Sequence, residues 1–136
     1  MKHETHTPFV AADGTPCVSV RLSNRGPSWT TTAAAFAELD RAGMTGRFWL
    51  SHGARGIGYV TAKLPGYGTQ VVARLIAKAG YREQVAYRDG DRLNLHPDNL
   101  VLEPCSHARA HSAVVLELCQ AAGHKRFTAP VGEVSA

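Results

Sequence analysis

Short apolar runs, each closed by turn residues, alternate along this chain with three stretches of helical periodicity. The first apolar run, at residues 9–10, is followed by an Asp13-Gly14 turn and then by the alternating stretch CVSVRL. This pattern predicts a strand, a turn and a second strand. One of the threonines in the TTT run can cap a helix over AAAFAELDRA, and Gly43 ends that helix.

The middle of the chain predicts a three-stranded antiparallel meander over residues 47–73, because apolar runs there are joined by short turns. A short helix over residues 74–79 follows, and Gly80 ends it. In the alternating central strand, side chains divide between two faces of the sheet. The predicted core face holds Val60, Ala62 and Leu64, and the predicted polar face holds Tyr59, Thr61 and Lys63.

The last predicted element is a helix over about residues 105–122, which Gly123 closes. Two histidines, His107 and His111, extend its apolar stripe toward the N-terminus of the helix. The stripe itself is predicted to consist of Val114, Val115, Leu118, Cys119 and Ala122.

These elements predict one α+β domain over residues 9–124. A small antiparallel sheet with a packed helix forms residues 9–83, and a strand hairpin with a C-terminal helix forms residues 84–124. We expect residues 1–8 to be a flexible leader and residues 125–136 to be a flexible tail.

The loop inside the hairpin, RDGDRLNLHPDNL, is the least ordinary stretch of the sequence. It combines an Asp-Gly turn with two asparagines, and Asn and Asp side chains bond backbone groups close by in sequence. We therefore expect four of its residues to shape the loop rather than to carry out chemistry. They are Asp89, Gly90, Asn94 and Asn99.

Composition adds a preference for an anionic partner, nucleic acid above all, because the net charge is +4 over 136 residues. The three cysteines form no CxxC pair, which indicates neither a zinc ribbon nor a secreted disulfide framework. No apolar run approaches the roughly 20 residues that span a membrane, and the polar N-terminus is unlike a signal peptide. We expect a cytoplasmic protein with no membrane contact.

The hairpin resembles the HNH endonucleases of phages and mobile elements, especially the homing type, whose signature looks like V-x-H-x-D-G-D-x-x-N-x-x-x-x-N-L. The matching residues, at the same offsets, are Val85, Asp89, Gly90, Asp91, Asn94, Asn99 and Leu100. The preceding VVARLIAKAG resembles the helical lead-in of that family. The resemblance implies a ββα-metal fold that holds one divalent ion for hydrolysis of a DNA phosphodiester. It also implies that Asn99 joins the backbones of the two strands.

The residues that would carry out cleavage are replaced. The resemblance puts the general base at Tyr87, and a phenol with a pKa of about 10 is poorly matched to that role. Ala86 stands where many members have an acidic metal ligand, and Ala73 stands where the lead-in histidine is expected. The ligand from the last helix falls on Ala108, or on His107 with one residue of slack. We therefore predict a degenerate nuclease with no catalytic residue and no cofactor.

A metal site is the alternative, because Cys105, His107 and His111 form a Cys-x-His-x3-His cluster. Histidines four residues apart on a helix can share a metal from one face. The runner-up hypothesis is accordingly an active nicking endonuclease with Mg or Zn, rebuilt around His107, His111 and Asp89. A third hypothesis is a protein-interaction module, such as an inhibitor of a host defence system.

Basic residues are concentrated on the predicted meander, the loop and the start of the last helix, whereas the first helix is nearly neutral. Arg and Lys would contact phosphates there, and Arg or Thr would contact base edges. The first hypothesis is therefore a catalytically inactive double-stranded DNA-binding protein, a regulator on a phage or mobile element. A homodimer on a palindromic site is compatible with it. The candidate DNA contacts are Arg47, Arg55, Tyr59, Thr61, Lys63, Arg74, Arg88, Arg92 and Arg109.

Overall fold

The computed structural model describes residues 6–23, 27–44, 47–52 and 58–132. Three small antiparallel sheets and the helices packed against them confirm the predicted α+β class. In chain order the elements are β1 (His6–Val10), β2 (Pro16–Arg21), β3 (Ser28–Thr32), α1 (Ala33–Arg41), β4 (Phe48–His52), β5 (Gly58–Leu64), β6 (Gly68–Val71), α2 (Val72–Ala77), β7 (Glu83–Tyr87), β8 (Leu100–Pro104) and α3 (Ser112–Gly132).

The first sheet has the order β1-β2-β3. Val20 of β2 lies opposite Trp29 of β3, and both side chains are fully buried. The prediction of a flexible leader over residues 1–8 is wrong from His6 onward, because the strand His6–Val10 pairs with β2. Residues 1–5 lie outside the described residues.

Strand β3 was not expected, because the TTT run was interpreted only as a helix cap. Thr32 serves both roles: it ends β3, and its Oγ1 accepts a hydrogen bond of 3.1 Å from the N–H of Ala35. A threonine at this position satisfies one of the N–H groups that the first turn of a helix leaves unpaired. The predicted end of α1 is also confirmed, since Gly43 adopts φ +93 just beyond it.

The second sheet, β4-β5-β6, confirms the predicted meander. Val60, Ala62 and Leu64 are buried on the core face, as expected from the alternation. The opposite face is less exposed to solvent than expected, because Thr61 is only 7% exposed. Its hydroxyl lies 2.7 Å from the hydroxyl of Ser51 on β4.

The third sheet pairs β7 with β8, and α2 precedes it. Helix α3 begins at Ser112 rather than near residue 105, so the predicted start was wrong. Residues 105–111 are irregular because their backbone is bonded to the turn before β7. The N–H of Cys105 donates to the carbonyl of Arg82 at 2.8 Å, and the N–H of Arg109 donates to that of Tyr81 at 2.7 Å.

Gly123 does not end α3, which continues to Gly132. A single glycine in a helix costs about 1 kcal/mol relative to alanine, which good helix formers beside it offset. The flexible tail expected over residues 125–136 is therefore helical as far as residue 132, and residues 133–136 lie outside the described ones.

The buried stripe of α3 also differs from the prediction. Its buried positions are Ser112, Leu116 and Cys119, which share one helical face. Val114 and Leu118, expected in the stripe, are 42% and 51% exposed. The shift follows from the later start of the helix, since Ser112 is held at the core by the side chain of Arg74.

One hydrophobic core serves the whole domain. Trp29 and Phe48 pack at its centre with ring centroids 5.1 Å apart. Leu95 from the hairpin loop and Leu116 from α3 belong to the same buried cluster. None of the helices within the described ranges is both long and apolar enough to cross a membrane.

Candidate nucleic-acid interface

Asn99 is the central side chain of the hairpin loop. It is 8% exposed, and its Oδ1 accepts a hydrogen bond of 3.1 Å from the N–H of Asp89. Its Nδ2 donates to Oδ1 of Asp89 and to the carbonyl of Asn94, both at 2.9 Å. The backbone carbonyl of Asn99 also accepts from the N–H of Arg88 at 2.8 Å. One side-chain amide thus ties the turn after β7 to the loop before β8, an arrangement like the one that the resemblance implies.

The side chain of Asp89 accepts further hydrogen bonds within the loop. It accepts from Nδ2 of Asn94 and from the N–H of Asp91, each at 2.8 Å. These hydrogen bonds, with the one from Asn99, lower the pKa of the Asp89 carboxyl, because they favour its charged form. Gly90 adopts φ +76, a backbone conformation that suits glycine. The Asp89 carboxylate is therefore engaged by hydrogen bonds from within the loop.

The loop is also fixed from outside, by β3. The N–H of Thr30 donates to the carbonyl of Leu93 at 2.9 Å, and the N–H of Leu95 donates to the carbonyl of Thr30 at 2.8 Å. The Thr31 hydroxyl donates to the carbonyl of Leu95 at 2.8 Å. With Leu95 fully buried, the loop forms a rigid extension of the first sheet and not a mobile connection.

Tyr87 occupies the position where the resemblance places a base. Its ring is half-buried, and burial raises its pKa to about 12, against the smaller opposing effect of the Arg92 charge. The guanidinium carbon of Arg92 lies 5.3 Å from the Tyr87 ring centroid and 4.7 Å from that of Tyr59. Such cation–π contacts stabilise both partners by about 0.5–2 kcal/mol. Tyr87 is thus a neutral phenol in a fixed aromatic cluster.

The raised pKa predicts a specific pH dependence of stability. Below pH 10 both folded and unfolded chains keep the Tyr87 proton; between pH 10 and about 12 only the folded chain does. The free energy of unfolding should therefore fall with rising pH over this window more steeply in the wild type than in Tyr87→Phe. Urea unfolding from pH 9 upward measures the difference, and Tyr67→Phe, at an exposed turn, is the matched control. Parallel curves for wild type and Tyr87→Phe would contradict the assignment.

A cleft of about 180 Å³ opens beside these rings, between the meander and the third sheet. Tyr59 and Val71 line it from the meander, and Val85 and Tyr87 line it from β7. Gln84 adds a side-chain amide. The rings and valines supply apolar surface, and nearly as much of the lining is polar.

Two guanidinium groups, those of Arg74 and Arg109, supply the charge of the cleft. Arg74 is only 9% exposed, and its Nε donates to Oγ of Ser112 at 3.2 Å. Its two terminal nitrogens donate to the backbone carbonyls of Glu83, Gly80 and Ala110. Burial, with the neighbouring charge of Arg109, lowers the pKa of Arg74. None of the residues lining the cleft is acidic, so the lining itself carries net positive charge.

The helix on which the alternative metal site depends is not present over residues 105–111, since α3 begins at Ser112. Because the segment is not helical, His107 and His111 do not share a helical face, and both are exposed. Among the described residues, no three His, Cys, Asp or Glu side chains are grouped so as to hold a metal ion. Ala86 and Ala108 carry no ligand atom, so the residues at the positions implied by the resemblance do not fit a divalent metal. Hydrogen bonds with the Arg109 side chain and the His107 backbone instead lower the pKa of the Cys105 thiol.

The structure separates the nine predicted DNA contacts into distinct groups. Arg47, Lys63 and Arg88 are exposed, and the Nε of Arg88 donates to the carbonyl of Asp98 at 2.8 Å. Thr61 and Arg74 are buried and bonded inside the protein. Arg55 lies outside the described residues. The remaining three, Tyr59, Arg92 and Arg109, lie in or beside the cleft.

The cleft itself was not expected from the sequence. Val71, Gln84 and Val85 read as ordinary strand residues, and only the docking of β7 beside the meander brings them together. The available sequence signal was that Tyr87 and Arg92 lie close together in the chain. Such a pair indicates neighbouring aromatic and charged side chains, but not a cavity.

Comparisons with family models, with curated proteins and with solved structures find no match to this chain.

Proposed function

We propose that this protein binds double-stranded DNA through the hairpin and the cleft beside it, on an HNH-like scaffold that no longer cleaves. The resemblance of the hairpin to phage and mobile-element nucleases suggests a regulatory role on such an element. The proposal draws on charge, on loop rigidity and on the chemistry at Tyr87.

The observation that carries the proposal is a group of arginines at the hairpin and the cleft that form no ion pair among the described residues. Within the described part of the chain, the one ion pair joins Lys78 to Glu38 at 2.7 Å. The hairpin arginines Arg88 and Arg92 therefore have no carboxylate partner there, although Asp89 and Asp91 are close in sequence. Both aspartates accept hydrogen bonds from loop N–H groups instead. Asp89 and Asp91 are exposed but engaged by these hydrogen bonds, whereas Arg88 is exposed and forms no ion pair among the described residues. An arginine in this setting suits phosphate contact.

The second support is the phenol at position 87. With a pKa of about 12, Tyr87 is poorly suited to accept a proton from water near neutral pH. Ala86 beside it offers no ligand atom. Both residues agree with a protein that keeps the nuclease-like scaffold for binding and lacks the cleavage reaction.

Salt dependence of DNA affinity provides the test. Fluorescence anisotropy with a labelled short duplex should show log K falling linearly with log salt, by about 0.9 per phosphate contact. Replacing Arg88 and Arg92 with alanine should weaken binding and make the slope shallower by about 2. The matched control removes two positive charges elsewhere: Arg41 on α1 and Lys78, whose ammonium is already paired with Glu38. That double variant should keep most of the affinity and the slope.

Several outcomes would overturn the proposal. No binding at micromolar protein and low salt, or binding insensitive to salt, would favour a protein-interaction module. Equal losses in the two double variants would assign the effect to net charge alone. Nicking of supercoiled plasmid with magnesium or manganese, absent from a His107→Ala control, would restore the endonuclease hypothesis.

A further inference from the structure

The cleft has the size of one ring system. Cavities of about 150 Å³ hold a benzene-sized molecule, whereas drug-sized ligands need about 300 Å³ or more. At about 180 Å³ and open to solvent, this cleft admits a single nucleobase but not a base pair.

Its walls match the faces of a base. Tyr59 and Tyr87 offer aromatic surface, and Val71 and Val85 offer apolar surface. Stacking of a base on an aromatic side chain contributes about 1–3 kcal/mol and is tolerant of sequence. Arg92 is not among the lining residues; it lies over both tyrosine rings and holds them in place from outside the cleft.

Its polar groups match the rest of a nucleotide. Gln84 brings an amide whose Nε2 donates to Oε1 of Glu103 at 3.3 Å and whose oxygen can accept from the edge of a base. Arg109 is exposed and Arg74 is buried, and neither faces a lining carboxylate. A guanidinium with no acidic partner attracts a phosphate, which would lie at this end of the cleft.

We infer that the cleft takes one unpaired nucleotide of a DNA strand, with the base against Tyr59 and Tyr87 and a phosphate toward Arg109. The inference rests on the proposed function and names the form of DNA that is bound best: a duplex with an unpaired or displaced base. Extruding a base from an intact duplex costs a few kcal/mol, so a bulge that is already unpaired binds more tightly.

The test compares two labelled duplexes of the same sequence, one fully paired and one with an extra unpaired adenine. The bulged duplex should bind about 5-fold to 100-fold more tightly, the range that one stacked base provides. Gln84→Trp, which fills the cleft from a half-exposed strand position, should remove this preference. Its affinity for the paired duplex should stay within about two-fold, which also reports that the variant is folded. Gln84→Ala keeps the cleft open and should keep most of the preference.

Should Gln84→Trp fail to fold, Tyr59→Leu, which keeps apolar volume without the aromatic face, should lose the preference in its place. Equal, salt-dependent binding of paired and bulged duplexes overturns this inference and leaves the proposed function standing. No binding of either duplex removes the proposed function itself. Millimolar dAMP distinguishes the source: it should compete only weakly with the bulged duplex, whereas dAMP binding as tight as that of the bulged duplex would assign the cleft to a free nucleotide and overturn the strand-bound version.

Discussion

Replacing Arg74 with methionine is expected to lower the free energy of unfolding by at least about 3 kcal/mol. The side chain is 9% exposed and donates to three backbone carbonyls and to Ser112. These partners belong to the turn after α2, to β7 and to the start of α3. Without the guanidinium they lose their donor, and buried carbonyls left unpaired are costly.

Urea unfolding followed by circular dichroism measures this loss. Lys63→Met, at an exposed position of β5, removes the same charge and should change stability by less than about 0.5 kcal/mol. Arg74→Lys should recover only part of the loss, because one ammonium cannot reproduce the planar fork of a guanidinium. If Arg74→Met has the same urea midpoint of unfolding as the wild type, the four hydrogen bonds contribute little to stability.

The second large effect is expected at Asn99, where alanine should cost about 2–3 kcal/mol. The substitution removes three side-chain hydrogen bonds and leaves the N–H of Asp89 and the carbonyl of Asn94 without their partner. Hydrogen exchange at the amides of Asp89, Asp91 and Leu93 should accelerate together, because the loop then opens as a unit.

Asn94→Ala is the matched control for Asn99→Ala. Asn94 is half-exposed, and its side chain makes one bond to Asp89 and accepts a longer one, 3.4 Å, from the N–H of His96. We expect a loss of about 1 kcal/mol there. A larger loss of stability in Asn94→Ala than in Asn99→Ala would contradict the assignment of Asn99 as the central side chain of the loop.

The hairpin loop was predictable because its information is local. An Asp-Gly turn followed by asparagines five and ten residues after Asp89 favours side-chain bonds to nearby backbone, and the structure contains them. The docking of this loop on β3 was not predictable, since Thr30 and Leu93 are remote in sequence and their pairing is made by backbone groups that every residue carries.

The start of α3 shows the opposite case. Cys105 to His111 has a composition that a helix tolerates, and spacing alone placed two histidines on one helical face. Backbone bonds to Arg82 and Tyr81 hold the segment irregular until Ser112, where Arg74 bonds the side chain. Tertiary contacts therefore overrode a weak local preference, as they often do for short segments.

Arg74 itself illustrates why charge in a sequence does not identify a binding residue. Its place among the basic residues of the meander and the loop made it a candidate DNA contact, yet its side chain bonds groups of three separate segments inside the protein.

What the sequence by itself determined is the set of local elements: the alternating strands, the caps and the aspartate-asparagine loop, because periodicity and side-chain-to-backbone bonds act over a few residues. Only the tertiary structure decided which arginines point outward, which tyrosines of two sheets contact the same arginine, and that a cleft lies beside them. Burial and cross-sheet contact depend on how elements remote in sequence pack, and a linear pattern carries no distance between them.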